Sequence, residues 1–302
     1  MDGPLEGDDD LVCEKLLRKY ELIQKIGHSP WGVVWHATDK QTRVAIALKK
    51  LYGAMSEKKR AQMAYREVAI LEALQGHDNI VELRTFLYGT SESDLYLVFG
   101  LMETDLYSAI RANVLKEKHF SYIMFQVLRA LSFVHSKGFV HRDVKPSNVL
   151  IDGKCQVKLC DFGHARSLSG LEDSFSHNNK TGSNATDYTG SRWYRAPESV
   201  LGSNRISTAV DIWGAGCILG EMVLGAPVFP GNSSTHQLQL IIQLTGHPSK
   251  EEITRIPAPC AAEQLDPLFI GNITPKALSK TFENAKAEAI DILRLCLQVS
   301  VV

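Results

Sequence analysis

Over the first hundred residues, apolar and polar positions alternate in short runs rich in branched and aromatic side chains. Residues 20–26, 33–38, 43–51, 81–87 and 94–99 therefore read as strands, with polar breaks between them. One helical pattern interrupts them, over about residues 56–74. Met63, Glu67, Ile70 and Leu74 share a stripe there, Ser56 is the expected cap, and Gly76 stands just past the end. Beyond Leu101 the period turns helical. Residues 121–136 are amphipathic, and residues 211–224 are apolar almost all round, which predicts a buried helix. Between Gly163 and Ala196 runs a long polar stretch without period. The pattern predicts an α+β fold, with a small β-rich part followed by a larger α-rich part and a boundary near Gly100. The expected regions are a disordered acidic tail at 1–13, a first lobe at 14–100 and a second at 101–302.

Composition changes this picture little. The chain has 302 residues, 44% hydrophobic and 22% charged, with a net charge of −1. That is ordinary for a globular domain, and the balance calls for neither nucleic acid nor an anionic membrane as partner. No run approaches the ~18 apolar residues of a membrane span. The acidic start lacks the apolar segment of a secretory signal. Cys13, Cys155, Cys160, Cys217, Cys260 and Cys296 are scattered without metal spacing, which suits free thiols in a reducing compartment. The expected location is cytoplasmic, with the nucleus left open.

Chemistry concentrates in a few strings. Gly27-His28-Ser29-Pro30-Trp31-Gly32-Val33-Val34 lies between two predicted strands. It reads either as an ordinary hairpin or as a glycine-rich loop whose backbone N–H groups approach phosphates. In Ile46-Ala47-Leu48-Lys49, alternation puts Ala47 and Lys49 on one strand face, and Lys50 on the other, where solvent is expected. Glu67, a carboxylate on an apolar stripe, needs a partner, and Lys49 would supply one. A solvated lysine and a bare helix-surface glutamate are the alternatives. Two further strings follow: His141-Arg142-Asp143-Val144-Lys145-Pro146-Ser147-Asn148 and Asp161-Phe162-Gly163.

Together these strings resemble those of eukaryotic protein kinases: the glycine-rich loop, the V-A-I-K lysine, H-R-D-x-x-x-x-N and D-F-G. The likeness runs from about Tyr20 to Leu297. Lys-Pro-Ser-Asn at 145–148, Thr186-Asp187-Tyr188 and Thr189-Gly190-Ser191-Arg192-Trp193-Tyr194-Arg195-Ala196-Pro197-Glu198 narrow it to mitogen-activated protein kinases. Residues 157–168 are most like the atypical extracellular-signal-regulated kinase branch.

The resemblance implies a bilobal fold and transfer of the ATP γ-phosphate to serine or threonine of protein substrates, before proline. Asp143 would accept the hydroxyl proton and Lys145 would steady the phosphoryl group. Asn148 and Asp161 would hold Mg2+. ATP would meet Gly27, Gly32, Val34, Ala47, Lys49, Glu67, Leu101, Met102, Asp105 and Leu150, with Phe99 closing the pocket behind. His141 and Phe162 would be packing residues. Thr186 and Tyr188 would be phosphorylated, by an upstream kinase or by the chain itself. Arg66, Arg142 and Arg166 would receive the phosphothreonine, and Arg192 and Arg195 the phosphotyrosine.

Departures from the family pattern are Ser29 for the middle glycine, Gly100 at an acidic hinge position, His164 after D-F-G, and Gly190 and Ser191 in the substrate strip. The family also continues past 302 with an arginine that pairs Glu198 and with a final helix, so a shortened second lobe is expected. A catalytically impaired, kinase-like scaffold or a truncated isoform remains the rival reading.

Overall fold

A computed structural model describes residues 12–89, 93–168, 192–203, 205, 207–256, 258, 261, 265 and 277–299. It has a sheet-rich N-terminal region and a helical C-terminal region. Two compact units make up the chain. Unit 1 runs to Glu103 and takes in Asp161–His164, and unit 2 holds Thr104–Cys160 and the residues from Ala165 onward.

Unit 1 opens with α1 (Glu14–Lys19), then β1 (Tyr20–Ser29), β2 (Gly32–Asp39), β3 (Ala45–Leu51), α2 (Lys58–Ala73), β4 (Leu83–Tyr88) and β5 (Leu95–Gly100). The strands form one antiparallel sheet in the order β1-β2-β3-β5-β4. Alternation sends Ile46 and Leu48 into a core with Leu16, Tyr20, Ala37, Tyr96 and Val98. Val12 and Cys13, expected in the tail, pack against this core.

Helix α1 is an element for which the sequence pattern gives no expectation, and two expectations for unit 1 are corrected. Ser56 does not cap α2. Its hydroxyl donates to the Gly53 carbonyl at 2.7 Å, and the cap position is Glu57, without a side-chain bond. Lys50 does point away from Lys49, but it is only 4% exposed. Its ammonium pairs with Asp94 at 3.0 Å and lies over the Tyr52 and Tyr96 rings. Alternation sets which face a side chain takes, and here aromatic rings and a carboxylate cover that face.

Unit 2 contains β6 (Thr104–Asp105), α3 (Leu106–Arg111), α4 (Glu117–Ser136), β7 (Phe139–Val140), β8 (Val149–Ile151), β9 (Val157–Leu159) and β10 (Arg166–Ser167). These are followed by α5 (Pro197–Val200), α6 (Ala209–Leu224), α7 (Ser234–Thr245), α8 (Lys250–Arg255), α9 (Leu278–Thr281) and α10 (Ala287–Cys296). Eleven of the sixteen residues of α6 are buried, and α4 and α10 pack on it. A second core gathers Leu201, Leu238, Ile242, Ile253, Ile256 and Leu265. No described helix is long and apolar enough to cross a membrane.

Candidate active site

In unit 1, β3 carries Ala47 and Lys49 on one face, with Lys49 opposite Val34 on β2 and Leu97 on β5. The Lys49 ammonium lies 2.7 Å from Glu67 Oε1 and 3.4 Å from Asp161 Oδ1. Glu67 is buried on α2, so its charge is met where water is scarce. Asp161 has φ 64°, a left-handed conformation that costs a non-glycine residue about 1–3 kcal/mol. It leads into the 3-10 turn Phe162–His164, which buries Phe162 and packs against α2. Leu101 and Met102 follow β5 and are half-buried.

The glycine-rich string forms a hairpin with Pro30 and Trp31 at its tip. At Gly32 a Cβ would stand 2.0 Å from the Lys50 carbonyl oxygen, so the approach of β3 alone requires glycine there. Gly27 meets only the Val34 side chain. Ser29 supports the turn from within. Its hydroxyl accepts from the Trp31 N–H and donates to the Gly32 carbonyl, both at 3.3 Å.

In unit 2, the segment after β7 gathers a second group. Lys145 Nζ donates to Asp143 Oδ2 at 2.6 Å. Asn148 Nδ2 donates to the same oxygen at 3.0 Å and to the Asp143 carbonyl at 2.8 Å. With its N–H groups so committed, Asn148 has only its amide oxygen to offer as an acceptor. His141 is fully buried. Its Nδ1 accepts from the Asp143 N–H at 3.3 Å, and its Nε2 lies 2.9 Å from the Cys160 carbonyl. That pair engages both ring nitrogens. Asp105 caps α3, accepting from the Ser108 N–H at 2.7 Å, and pairs across the ladder with Leu150.

Sequence reasoning missed the residue that holds this segment in place. Asp211, the carboxylate near the start of α6, has no exposed surface. Its Oδ2 accepts from the His141 N–H at 2.8 Å, and its Oδ1 from the Arg142 N–H at 2.7 Å. His135 Nε2 lies 2.8 Å from Oδ2. Arg142 has φ 68°, and the Asp211 bond helps hold that strained backbone. The argument that singled out Glu67, a carboxylate among apolar positions, would have found Asp211 too.

The protein kinase domain family matches residues 20–301. The extracellular signal-regulated kinase 2 of Dictyostelium discoideum is 45% identical over 287 residues, covering 95% of this chain and 76% of that protein. This chain belongs to the protein kinase family, among the mitogen-activated protein kinases. Mitogen-activated protein kinase 15 of Xenopus laevis is 40% identical over 285 residues, covering 93% of this kinase and 47% of the relative. The Caenorhabditis elegans protein of the same name is 39% identical over 289 residues, covering 95% and 61%. The kinase chain thus spans between 47% and 76% of the length of these relatives.

The arginines singled out in this kinase fall in both units. Arg66 precedes Glu67 on α2 and is half-buried. In unit 2, Arg166 pairs with Val140 across β10 and β7, and Arg142 follows two residues later. Arg192 is buried, and its carbonyl accepts from the Arg195 N–H at 3.1 Å. Thr186, Tyr188, Gly190 and Ser191 lie outside the described residues. Nearby, the Tyr194 hydroxyl donates to Glu221 Oε2 at 2.7 Å, and burial pushes both groups up.

Proposed function

We propose that this kinase transfers the γ-phosphate of ATP to serine or threonine hydroxyls of proteins, before proline. The observation that carries the reading is the hold on Asp143, whose Oδ2 takes both Lys145 and Asn148. A base must meet the substrate hydroxyl in one orientation, and two donors on one oxygen supply that constraint. Lys145 keeps a positive charge beside the base, where the transferring phosphoryl group accumulates negative charge. Lys49, oriented by Glu67, would align the phosphates. Gly27, Gly32, Val34, Ala47, Leu101, Met102, Asp105 and Leu150 would line the nucleotide.

Protein kinases generally work with ATP and Mg2+. The Asn148 amide oxygen and the Asp161 carboxylate are hard oxygen donors, the kind magnesium takes alongside substrate phosphates. They would hold the ion, which when bound neutralises phosphate charge. The bound residues do the rest: Asp143 takes the proton and His141, with both nitrogens engaged, does not.

Phosphate on Thr186 would recruit Arg66, Arg142 and Arg166, and phosphate on Tyr188 would recruit Arg192 and Arg195. The donor of those phosphates would be an upstream kinase or the chain itself, in the cytoplasm or nucleus. The test is phosphate transfer from labelled ATP to paired peptides with and without proline after the acceptor. Asp143→Asn should lower turnover about 10²-fold or more with an unchanged melting curve. Near-normal turnover in that variant would sink the assignment, and equal rates on both peptides would remove the proline preference.

A further inference from the structure

The hairpin tip is tied to helix α2 by a contact whose helix partner lies outside every kinase string. Trp31 is 39% exposed at the tip, and the Arg60 guanidinium lies over its indole, 5.7 Å from the ring centroid. The backbone of Tyr52, just past β3, closes the circuit. Its N–H donates to the Trp31 carbonyl at 3.0 Å, and its carbonyl accepts from Arg60 Nη1 at 3.1 Å. The His28 ring sits against the Tyr52 ring, with centroids 6.5 Å apart. Arg60 also makes an exposed contact with Glu57 at 3.8 Å.

Helix physics alone does not favour this arginine. The first turn of α2 has no acidic residue, and Lys58, Lys59 and Arg60 crowd the end where the helix dipole disfavours cations. An aromatic face and a carbonyl that accept the guanidinium offset that cost. Arg60 also stands seven residues before Glu67 (67 − 60), two turns away on the same side of one helix.

We infer that Trp31 and Arg60 form a latch for the nucleotide lid. The latch joins the hairpin tip to the helix that carries Glu67, so lid opening and the Lys49–Glu67 pair move together. Both are positioning residues: they act on how long nucleotide stays and leave the reacting atoms untouched. The inference rests on the hairpin covering the nucleotide, which Gly27, Gly32 and Val34 would line as proposed above.

The test is the dissociation rate of a fluorescent ADP analogue from the full chain, followed by stopped flow. The set is the parent, Trp31→Leu, Arg60→Gln and the double variant. Each single change should speed release about threefold to tenfold, the effect of losing one partly exposed cation–π contact. KM for ATP should rise similarly, with kcat changing less. The double variant should release no faster than the faster single variant, and Trp31→Phe should fall between Trp31→Leu and the parent. Two effects that multiply in the double variant would overturn the latch, as would unchanged release in both singles. If Trp31→Leu or Arg60→Gln fails to melt cooperatively, Trp31→Phe with Arg60→Lys replaces it in the same cycle. A parent that binds no nucleotide would overturn the lid reading itself, and the latch with it.

Discussion

Glu198, in the first turn of α5, is a carboxylate that the fold prefers neutral. Burial pushes it above the usual range, only partly opposed by a bond from its own backbone. Among the described residues no ion pair reaches it. Its folded-state pKa is therefore higher than its unfolded one. The stability it contributes is full below the unfolded value and is lost as pH rises through the folded one. Glu198→Gln stays neutral throughout. It should melt above the parent at alkaline pH, with the gap closing as pH falls toward 4.5, the ordinary carboxylate value. Melting curves across pH check this, and a variant that melts no higher at alkaline pH would show that the charge is met inside the fold. At this same scale the sequence was uneven as a guide. Lys49 and Glu67 were legible because a buried opposite charge is the simplest partner for each. Lys50 was misread because alternation reports a face and not what covers it. Asp211 was missed because the apolar run around it was read only as burial and not as a demand for donors, and those donors, His141 and Arg142, lie some seventy residues away.

Among the elements, α6 is legible as buried from its composition, but its purpose comes from where its glycines lie. At Gly214 a Cβ would stand 2.6 Å from the Val144 carbonyl oxygen and 2.8 Å from the Val144 Cβ. Val144 sits between Asp143 and Lys145, so backbone displaced there moves the proposed base and its cation together. Gly216 is different: a Cβ would meet Cys296 and Leu297 at the end of α10. Each change to alanine should lower stability by about 1–3 kcal/mol, the usual cost of overpacking. Only Gly214→Ala should also lower kcat. Equal kcat values in the two variants would mean that Val144 relaxes without carrying Asp143 along. The strands were the most legible elements, since a half-buried sheet imposes a period of two. Helix α1 was not, because its Glu14–Lys19 span is too short for a helical period to emerge beside an acidic tail. The start of α2 was misplaced because Ser56 bonds backward, into the turn at Gly53.

For the molecule as a whole, the charge balance around Lys49 predicts that nucleotide binding depends on metal. Lys49, Glu67 and Asp161 lie within ion-pair distance and sum to −1 (+1 − 1 − 1). A triphosphate brought to such a group is repelled unless another cation accompanies it. The kinase should therefore bind Mg-ATP far better than ATP alone. Whatever binds the folded chain and not the unfolded one raises its stability, by about 2.7 kcal/mol at a hundred times Kd. Melting temperature should rise with Mg-ATP, and excess EDTA should remove most of the rise. Lys49→Met should reduce it at the same ligand concentration. Asp161→Asn gives the sharper result. It takes the group around Lys49 from −1 to neutral and removes the proposed metal donor at once, so the variant should respond alike to ATP with and without magnesium. A shift that survives both the chelator and Asp161→Asn would mean that Asp161 is not a metal donor, and that phosphate charge is met by protein cations alone.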